Sequence, residues 1–106
     1  MKLSVILATK DRPEWLPTAV ASVLRQTDPH WELCVFDNGH TAAAVENDPR
    51  IVYRRGTATG PADAYEQARL MASGDLVMPL ADDDSLYPDA VGTIPISSEA
   101  LIPVSA

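Results

Sequence analysis

Three consecutive carboxylates, Asp82, Asp83 and Asp84, are the residues of this chain whose type and spacing best suit chemistry. They directly follow the apolar run 77–81, which is typical of a strand passing through a protein interior. Carboxylate oxygens are the ligands that Mg²⁺ and similar hard cations prefer, and open α/β sheets hold ligands at the carboxyl ends of their strands. The triplet therefore indicates a cation site, although a solvated acidic loop explains three adjacent acids equally well.

Polar residues also follow two earlier apolar runs. The run 3–8 ends at Thr9 and Lys10, and the run 31–36 ends at Asp37 and Asn38. Both runs are predicted to be strands, and parallel strands would bring these ends and the acidic triplet to one edge of the sheet, as a single ligand site. Taken alone, Asp37-Asn38-Gly39 also fits a turn, because these residue types tolerate positive φ.

Helical patterns separate the predicted strands. Asp11, Pro13 and Glu14 carry the signals of a helix start, and an apolar stripe with helical spacing follows over 16–24. A second helix is predicted to open near Pro61 and to end with Gly74 at its C′ position. The remaining expectations are a short helix over 41–47, a third strand over 51–53 nearer an edge, and a fourth over 75–80 that loses regular pairing near Pro79. Strands alternating with helices predict parallel βαβ units.

The composition is that of an ordinary globular protein. With 106 residues, 46% of them hydrophobic, the chain is predicted to form one domain over 1–106, whose irregular tail 92–106 can add one edge strand. The net charge of -7 argues against a nucleic-acid partner, which would require clustered Lys and Arg. The one cysteine, Cys34, is expected to be a buried thiol, which fits a cytoplasmic location. No stretch approaches the roughly 20 apolar residues of a membrane span.

The polar strand ends belong to a linked series of motifs that resembles the family 2 glycosyltransferases. The series covers roughly residues 2–91. It begins with 4–9, which leads to 11–13, and continues with 21–27, which is followed by 31–33. The remaining segments are 37–39, 72–75, 82–84 and 88–89. The resemblance implies the nucleotide-sugar-binding half of an inverting enzyme of the GT-A type. Its fold would be α/β, a three-layer sandwich with a mostly parallel, Rossmann-like central sheet, here unusually short and truncated.

The resemblance also implies roles for particular residues. It assigns the nucleotide of a UDP-sugar or GDP-sugar to Ala8, Thr9, Lys10, Asp37, Asn38 and Asp82. It assigns a Mg²⁺ or Mn²⁺ ion on the diphosphate to Asp83, with Asp82 and Asp84 as neighbouring ligands. Such an ion stabilises the charge that develops on the departing nucleoside diphosphate.

Several features depart from the usual pattern of the family. Asn38 stands where many relatives have a second Asp, and Ala81 stands where many carry the first acid of the cluster. The segment 64–68, Ala-Tyr-Glu-Gln-Ala, replaces a helix signature Ala-Arg-Asn-x-Gly. The chain ends soon after the acidic triplet, and no residue matches the catalytic base of the family. No catalytic residue is therefore identified, and the acceptor is unknown.

Two functions remain open from the sequence. The first is a glycosyltransferase-like domain that binds a nucleotide-sugar donor through a divalent cation. The second is a non-catalytic nucleotide-binding module, in which self-association as a homo-oligomer would cover an exposed sheet edge. A phosphoacceptor domain with an acidic Mg²⁺ pocket is less consistent with this sequence. Such a domain needs acids right after the first strand and a separate Asp and Lys after later strands, and the order of residues here does not provide them.

Overall fold

A five-stranded sheet lies between two helices. The computed structural model describes residues 2–11, 14–39, 45, 47–81 and 102–103. The elements are β1 (Leu3–Thr9), α1 (Leu16–Leu24), β2 (Trp31–Asp37), β3 (Ile51–Arg55), α2 (Pro61–Leu70), β4 (Leu76–Ala81) and β5 (Ile102–Pro103).

The strand order is β3-β2-β1-β4-β5. Strands β1 to β4 are mutually parallel, and β5 runs antiparallel to β4. The register places Thr9 beside Asp37 and Ala8 beside Ala81, so β1, β2 and β4 end together. The prediction of a mostly parallel α/β sheet is confirmed. Since β2 and β4 flank β1 on opposite sides, the chain reverses its direction of travel across the sheet next to β1, where α/β folds commonly bind ligands.

Each face of the sheet is covered by one helix, which explains the apolar runs of the central strands. All seven residues of β2 are buried, and β1 has one partly exposed residue. On one face α1 packs its buried stripe, Leu16, Ala19, Val20 and Val23, against β1 and β2. On the other face α2 packs through Ala64 and Ala68 against Ile6, Cys34, Phe36 and Val77. The predicted three-layer sandwich is thus confirmed.

Three local predictions need correction, and they concern Asp11, Pro79 and Gly74. The first helix begins at Leu16, with Trp15 at the N-cap, and no side chain caps it. Asp11 cannot open that helix because its φ of 53° lies in the left-handed region. The strand β4 also continues through Pro79, which pairs with Ile6 of β1. On the opposite edge of β4, β5 pairs only with Leu76 and Val77. No described strand therefore lies beside Pro79 on that edge to need the N–H that proline lacks.

Gly74 does not end α2, which stops at Leu70 with Met71 as its C-cap. No described glycine adopts the left-handed region of φ. The position instead requires glycine for space, because a β-carbon there would lie 2.6 Å from Ser4 Oγ and 2.7 Å from the carbonyl oxygen of Lys2. Of the short helix predicted over 41–47, only Val45 and Asn47 are described, and neither is helical.

A buried carboxylate, Glu32, ties three strands together at the amino edge of the sheet. Glu32 accepts hydrogen bonds from the Ser4 hydroxyl, from the Ser73 hydroxyl at 2.9 Å and from the backbone N–H groups of Ser73 and Gly74. Lys2 Nζ lies 3.7 Å from its Oε1. Burial raises the pKa of Glu32, but the hydrogen bonds from Ser4 and Ser73 and the charge of Lys2 outweigh it and hold the pKa below its ordinary value of 4.5.

We expect Glu32→Gln to lower the free energy of unfolding at pH 7 by about 2 kcal/mol, because the amide leaves buried N–H donors unpaired. The folded-state pKa is depressed, so this stabilisation is complete above about pH 4.5 and is lost as the pH falls through the folded-state pKa. In urea unfolding, the gap in unfolding free energy between the parent and Glu32→Gln should therefore narrow as the pH falls below 4.5.

The exposed Glu66, which pairs with Arg69 on α2, provides the matched control for this prediction. Exposed ion pairs contribute little to stability, so Glu66→Gln should leave the free energy of unfolding almost unchanged. Equal losses in the two variants would contradict the role given to the buried carboxylate.

Candidate functional site

A cleft of about 530 Å³ opens at the carboxyl edge of the sheet. Its walls come from the ends of β1, β2 and β4, from the loop that follows β3, and from the first turns of α2. The lining residues are Ala8, Thr9, Lys10, Asn38, Ala58, Thr59, Gly60, Pro61, Ala64, Tyr65 and Ala81.

Four residues predicted to bind the nucleotide, Ala8, Thr9, Lys10 and Asn38, lie together in this cleft. They meet because β1 and β2 are parallel and in register, and the backbone N–H of Asn38 donates to the carbonyl oxygen of Thr9 at 2.9 Å. Lys10 is exposed and is the one charged side chain among the described residues of the lining. The cleft can therefore offer a cation, hydroxyl groups and an amide to a ligand.

Asp37, which the sequence also predicted to lie beside the nucleotide, is 1% exposed. Its carboxylate accepts hydrogen bonds from the Tyr53 hydroxyl and from the backbone N–H of Gly39, the latter at 2.8 Å. It does not belong to the described lining of the cleft, in contrast to Asn38. In this arrangement Asp37 holds the end of β2 in place and so orients Asn38, which follows it.

The turns that follow β1 and β2 pack directly against each other. A β-carbon on Gly39 would lie 2.7 Å from Asp11 Oδ1 and 2.9 Å from the backbone nitrogen of Asp11. Arg55, at the end of β3, donates to the carbonyl oxygen of Gly39 at 3.1 Å. Gly39 is therefore needed for close approach, whereas the turn interpretation of the sequence assumed a tolerance of positive φ.

The wall opposite β1 is held by hydrogen bonds around the start of α2. The backbone N–H of Thr59 donates to Asp63 Oδ2 at 2.9 Å, and this bond, together with the Gln67 amide, lowers the pKa of Asp63. The Tyr65 hydroxyl donates to the carbonyl oxygen of Leu80 at 3.0 Å. These contacts fix the first turns of α2 against the end of β4.

The predicted cation ligands Asp82, Asp83 and Asp84 lie outside the described residues. Ala81, which precedes them in the chain, lines the cleft. Within the described part of the chain, no group of three His, Cys, Asp or Glu side chains could hold a metal ion. The cation site thus stays a prediction, which rests on the acidic triplet itself.

The sequence reasoning missed the wall formed by Ala58, Thr59, Gly60, Pro61, Ala64 and Tyr65. For this segment the sequence predicted only a helix that opens near Pro61. A signal was available, because a loop that follows a parallel strand begins at the same edge as the other strand ends.

Cys34 agrees with its prediction, since it is fully buried and burial raises the pKa of its thiol to about 12.

Comparison with known families decides the classification of the chain. The family model of glycosyl transferase family 2 matches residues 4–94. The chain belongs to this family. Among the curated members of the comparison, protein CgeD of Bacillus subtilis is 33% identical over 103 residues, covering 83% of this chain and 24% of CgeD.

Solved glycosyltransferase structures show the same fold as this family 2 chain. TarS 1-349 of S. aureus in complex with UDP-GlcNAc gives a TM-score of 0.77 at 19% identity, covering 91% of this chain and 30% of TarS 1-349. The mannosyltransferase PcManGT of Pyrobaculum calidifontis, in complex with GDP-Man and Mn²⁺, gives a TM-score of 0.66 at 19% identity, covering 79% of this chain and 28% of PcManGT. The family 2 chain thus spans under a third of each of these proteins.

Neither of the two described helices is suited to crossing a bilayer. Helices α1 and α2 have nine and ten residues, and no described helix combines sufficient length with sufficient hydropathy. A bilayer core requires about 20 residues of apolar helix.

Proposed function

We propose that this chain binds the nucleotide-diphospho-sugar donor of a glycosyl transfer reaction. The observation that carries the proposal is the convergence of the ends of β1 and β2, through Thr9, Lys10 and Asn38, in one cleft at the carboxyl edge of a parallel sheet. Clefts at this place in α/β sheets commonly bind ligands, and a nucleoside diphosphate is an anion that Lys10 can attract.

The solved structures support this class of ligand. TarS binds UDP-GlcNAc and PcManGT binds GDP-Man with Mn²⁺, and both share the fold of this chain. We extend to this chain the common chemistry of those ligands, a sugar joined to a nucleoside through a diphosphate. The sugar and the acceptor are left open.

The proposed ligands of a divalent cation are Asp83 and its neighbours Asp82 and Asp84. The chemistry of the donor set fits Mg²⁺ or Mn²⁺, since all three side chains offer carboxylate oxygens. They also follow Ala81, which lines the cleft. When bound, the ion would stabilise the negative charge of the departing nucleoside diphosphate. The residues of the chain would orient the donor, with Lys10 and the Asn38 amide as its polar contacts.

Transfer to an acceptor also needs a base that removes the proton of the acceptor hydroxyl. None of the described residues that line the cleft is an Asp, Glu or His. This observation on the described lining is consistent with the second candidate function, a module that binds the donor without transferring its sugar.

Self-association, which belongs to the second candidate function, has less support than nucleotide binding. Within the described sheet, β3 is an edge strand with exposed Arg54 and Arg55. Charged side chains on an edge strand oppose pairing with a second copy. A homo-oligomer thus stays a prediction.

Titration of the whole chain with UDP, GDP, UDP-GlcNAc and GDP-Man, with and without Mn²⁺, tests the proposal by calorimetry. We expect binding that strengthens at least about tenfold when Mn²⁺ is present, because Asp82, Asp83 and Asp84 would hold an ion that offsets the negative charge of the diphosphate. Absence of Mn²⁺-dependent binding would refute both candidate functions. If binding occurs, donor hydrolysis or transfer by this chain alone would favour the enzyme, and its absence would favour the binding module.

A further inference from the structure

The hydroxyl of Tyr65 joins the first turns of α2 to the end of β4. It donates to the carbonyl oxygen of Leu80 at 3.0 Å, across 15 residues of sequence. Leu80 is buried, and the half-buried Tyr65 packs against the apolar cluster that α2 forms with the sheet. Ala64 and Ala68 hold the same helix on that cluster. The Tyr65 hydroxyl therefore reaches Leu80 from a support that is itself fixed.

The end of β4 has few other described supports. On one edge, β4 pairs with β1 as far as Ala81. On the opposite edge, β5 pairs only with Leu76 and Val77. Among the described strands, β1 alone thus lies beside the last residues of β4. The bond from Tyr65 to Leu80 adds a second attachment at this point.

The end of β4 also determines where the acidic triplet leaves the sheet. Asp82 follows Ala81 directly and is the second residue after Leu80. Because consecutive α-carbons are about 3.8 Å apart, the position of Leu80 limits where the backbone of Asp82 can lie. The polar groups proposed to contact the nucleotide belong instead to the ends of β1 and β2. A change at the end of β4 should therefore affect the cation more than the nucleotide.

We propose that Tyr65 is a positioning residue for the divalent cation of the donor site, acting through Leu80 and the end of β4. The inference rests on the proposed function, since it concerns the cation side of the same cleft. Tyr65 stands at the arginine position of the helix signature that the segment 64–68 replaces, so the family pattern does not imply this contact.

The expected size of the effect follows from the strength of one hydrogen bond. Without the hydroxyl, the end of β4 would spend part of its time in positions that present the carboxylates less well to the cation. The affinity falls by the fraction of molecules that remain competent to bind. One neutral hydrogen bond changes such an equilibrium by up to about tenfold.

The variant Tyr65→Phe removes the hydroxyl and keeps the ring. Calorimetric titration with UDP and GDP should give an affinity within about twofold of the parent without Mn²⁺, and an affinity about three- to tenfold lower with Mn²⁺. Equal losses in both conditions would show that Tyr65 contacts the nucleotide directly, and would overturn the inference, as would no loss in either. Absence of Mn²⁺-dependent binding in the parent would refute the proposed function and the inference with it.

Tyr53→Phe is the matched control, because it removes the same group from a bond to Asp37 at the end of β2. That strand end carries Asn38, which lines the cleft. The affinities with and without Mn²⁺ should therefore fall by a similar factor, so that the gain from Mn²⁺ stays at the value of the parent. A loss of that gain in Tyr53→Phe as large as in Tyr65→Phe would contradict a role specific to β4.

Hydrogen exchange tests the attachment of β4 without any ligand. In the free chain, Tyr65→Phe should speed the exchange of backbone amides in 76–81 and leave those in 31–37 of β2 unchanged, because only the end of β4 loses a contact. Unchanged exchange in 76–81 would overturn the inference whether or not nucleotides bind. This outcome is thus distinct from a failure of the proposed function, which appears as absence of binding to the parent.

Discussion

Asp83→Ala is expected to lower the Mn²⁺-dependent affinity of the chain for UDP or GDP by at least about 100-fold, because it removes a carboxylate that would neutralise the cation. The fold should persist, since the described core is built from apolar residues of β1, β2, β4 and the two helices. Calorimetric titration with and without Mn²⁺ measures the affinity, and circular dichroism measures the fold.

Glu66→Ala provides the control for this prediction. It also removes one negative charge, but from an exposed position on α2 outside the cleft lining, so the Mn²⁺-dependent affinity should stay within about twofold of the parent. An unchanged affinity in Asp83→Ala would refute the assignment of Asp83 to the metal. Asp82→Ala and Asp84→Ala would then show whether another member of the triplet carries it.

The central part of the fold could be predicted because its physical causes are local in the sequence. The apolar runs that became β1 and β2 are buried on both faces, and the stripe of α1 has helical spacing. The short third strand was expected near an edge, and β3 lies at one end of the sheet. In each case the pattern reflects how many faces of the element are covered.

The misjudged features depend on contacts between distant parts of the chain. Gly74 looked like a helix C-cap, yet it is required because Ser4 and Lys2 approach its α-carbon. Asp11 looked like a helix N-cap, yet it adopts a left-handed conformation and packs against Gly39. Local rules identified these residues as special, but they could not supply the reason.

The candidate site, like the fold, has a part that could be predicted from the sequence and a part that could not. The polar ends of β1 and β2 could be predicted to converge, since parallel strands end at one edge. The same rule would have placed the loop after β3 at this edge, but the particular contacts of Ala58 with Asn38 and of Tyr65 with Leu80 could not be predicted, because no residue pattern in 56–65 indicates them. The burial of Asp37 was also unforeseen, since it depends on the hydroxyl of Tyr53, which belongs to another strand.

Gly39→Ala is expected to lower the free energy of unfolding by about 3 kcal/mol, the cost of adding an atom to a site without space. The new β-carbon would lie 2.7 Å from Asp11 Oδ1 and 2.9 Å from Asp37 Oδ1, and one of its close neighbours is the backbone nitrogen of Asp11, which cannot rotate away. The turns after β1 and β2 must therefore separate. Nucleotide affinity should fall as well, because Thr9 and Asn38 depend on those turns for their relative position. Urea unfolding and calorimetric titration measure the two effects.

Gly60→Ala distinguishes crowding from the loss of a glycine as such. Gly60 lines the cleft, but no atom lies within 4 Å of the position that its β-carbon would take, and its φ of 170° is open to alanine. We therefore expect the free energy of unfolding to change by less than about 1 kcal/mol in Gly60→Ala, because an unstrained alanine has only a small effect. Equal destabilisation by the two substitutions would show that backbone freedom matters at both positions. It would also contradict the conclusion that Gly39 is needed because two strand ends meet beside it.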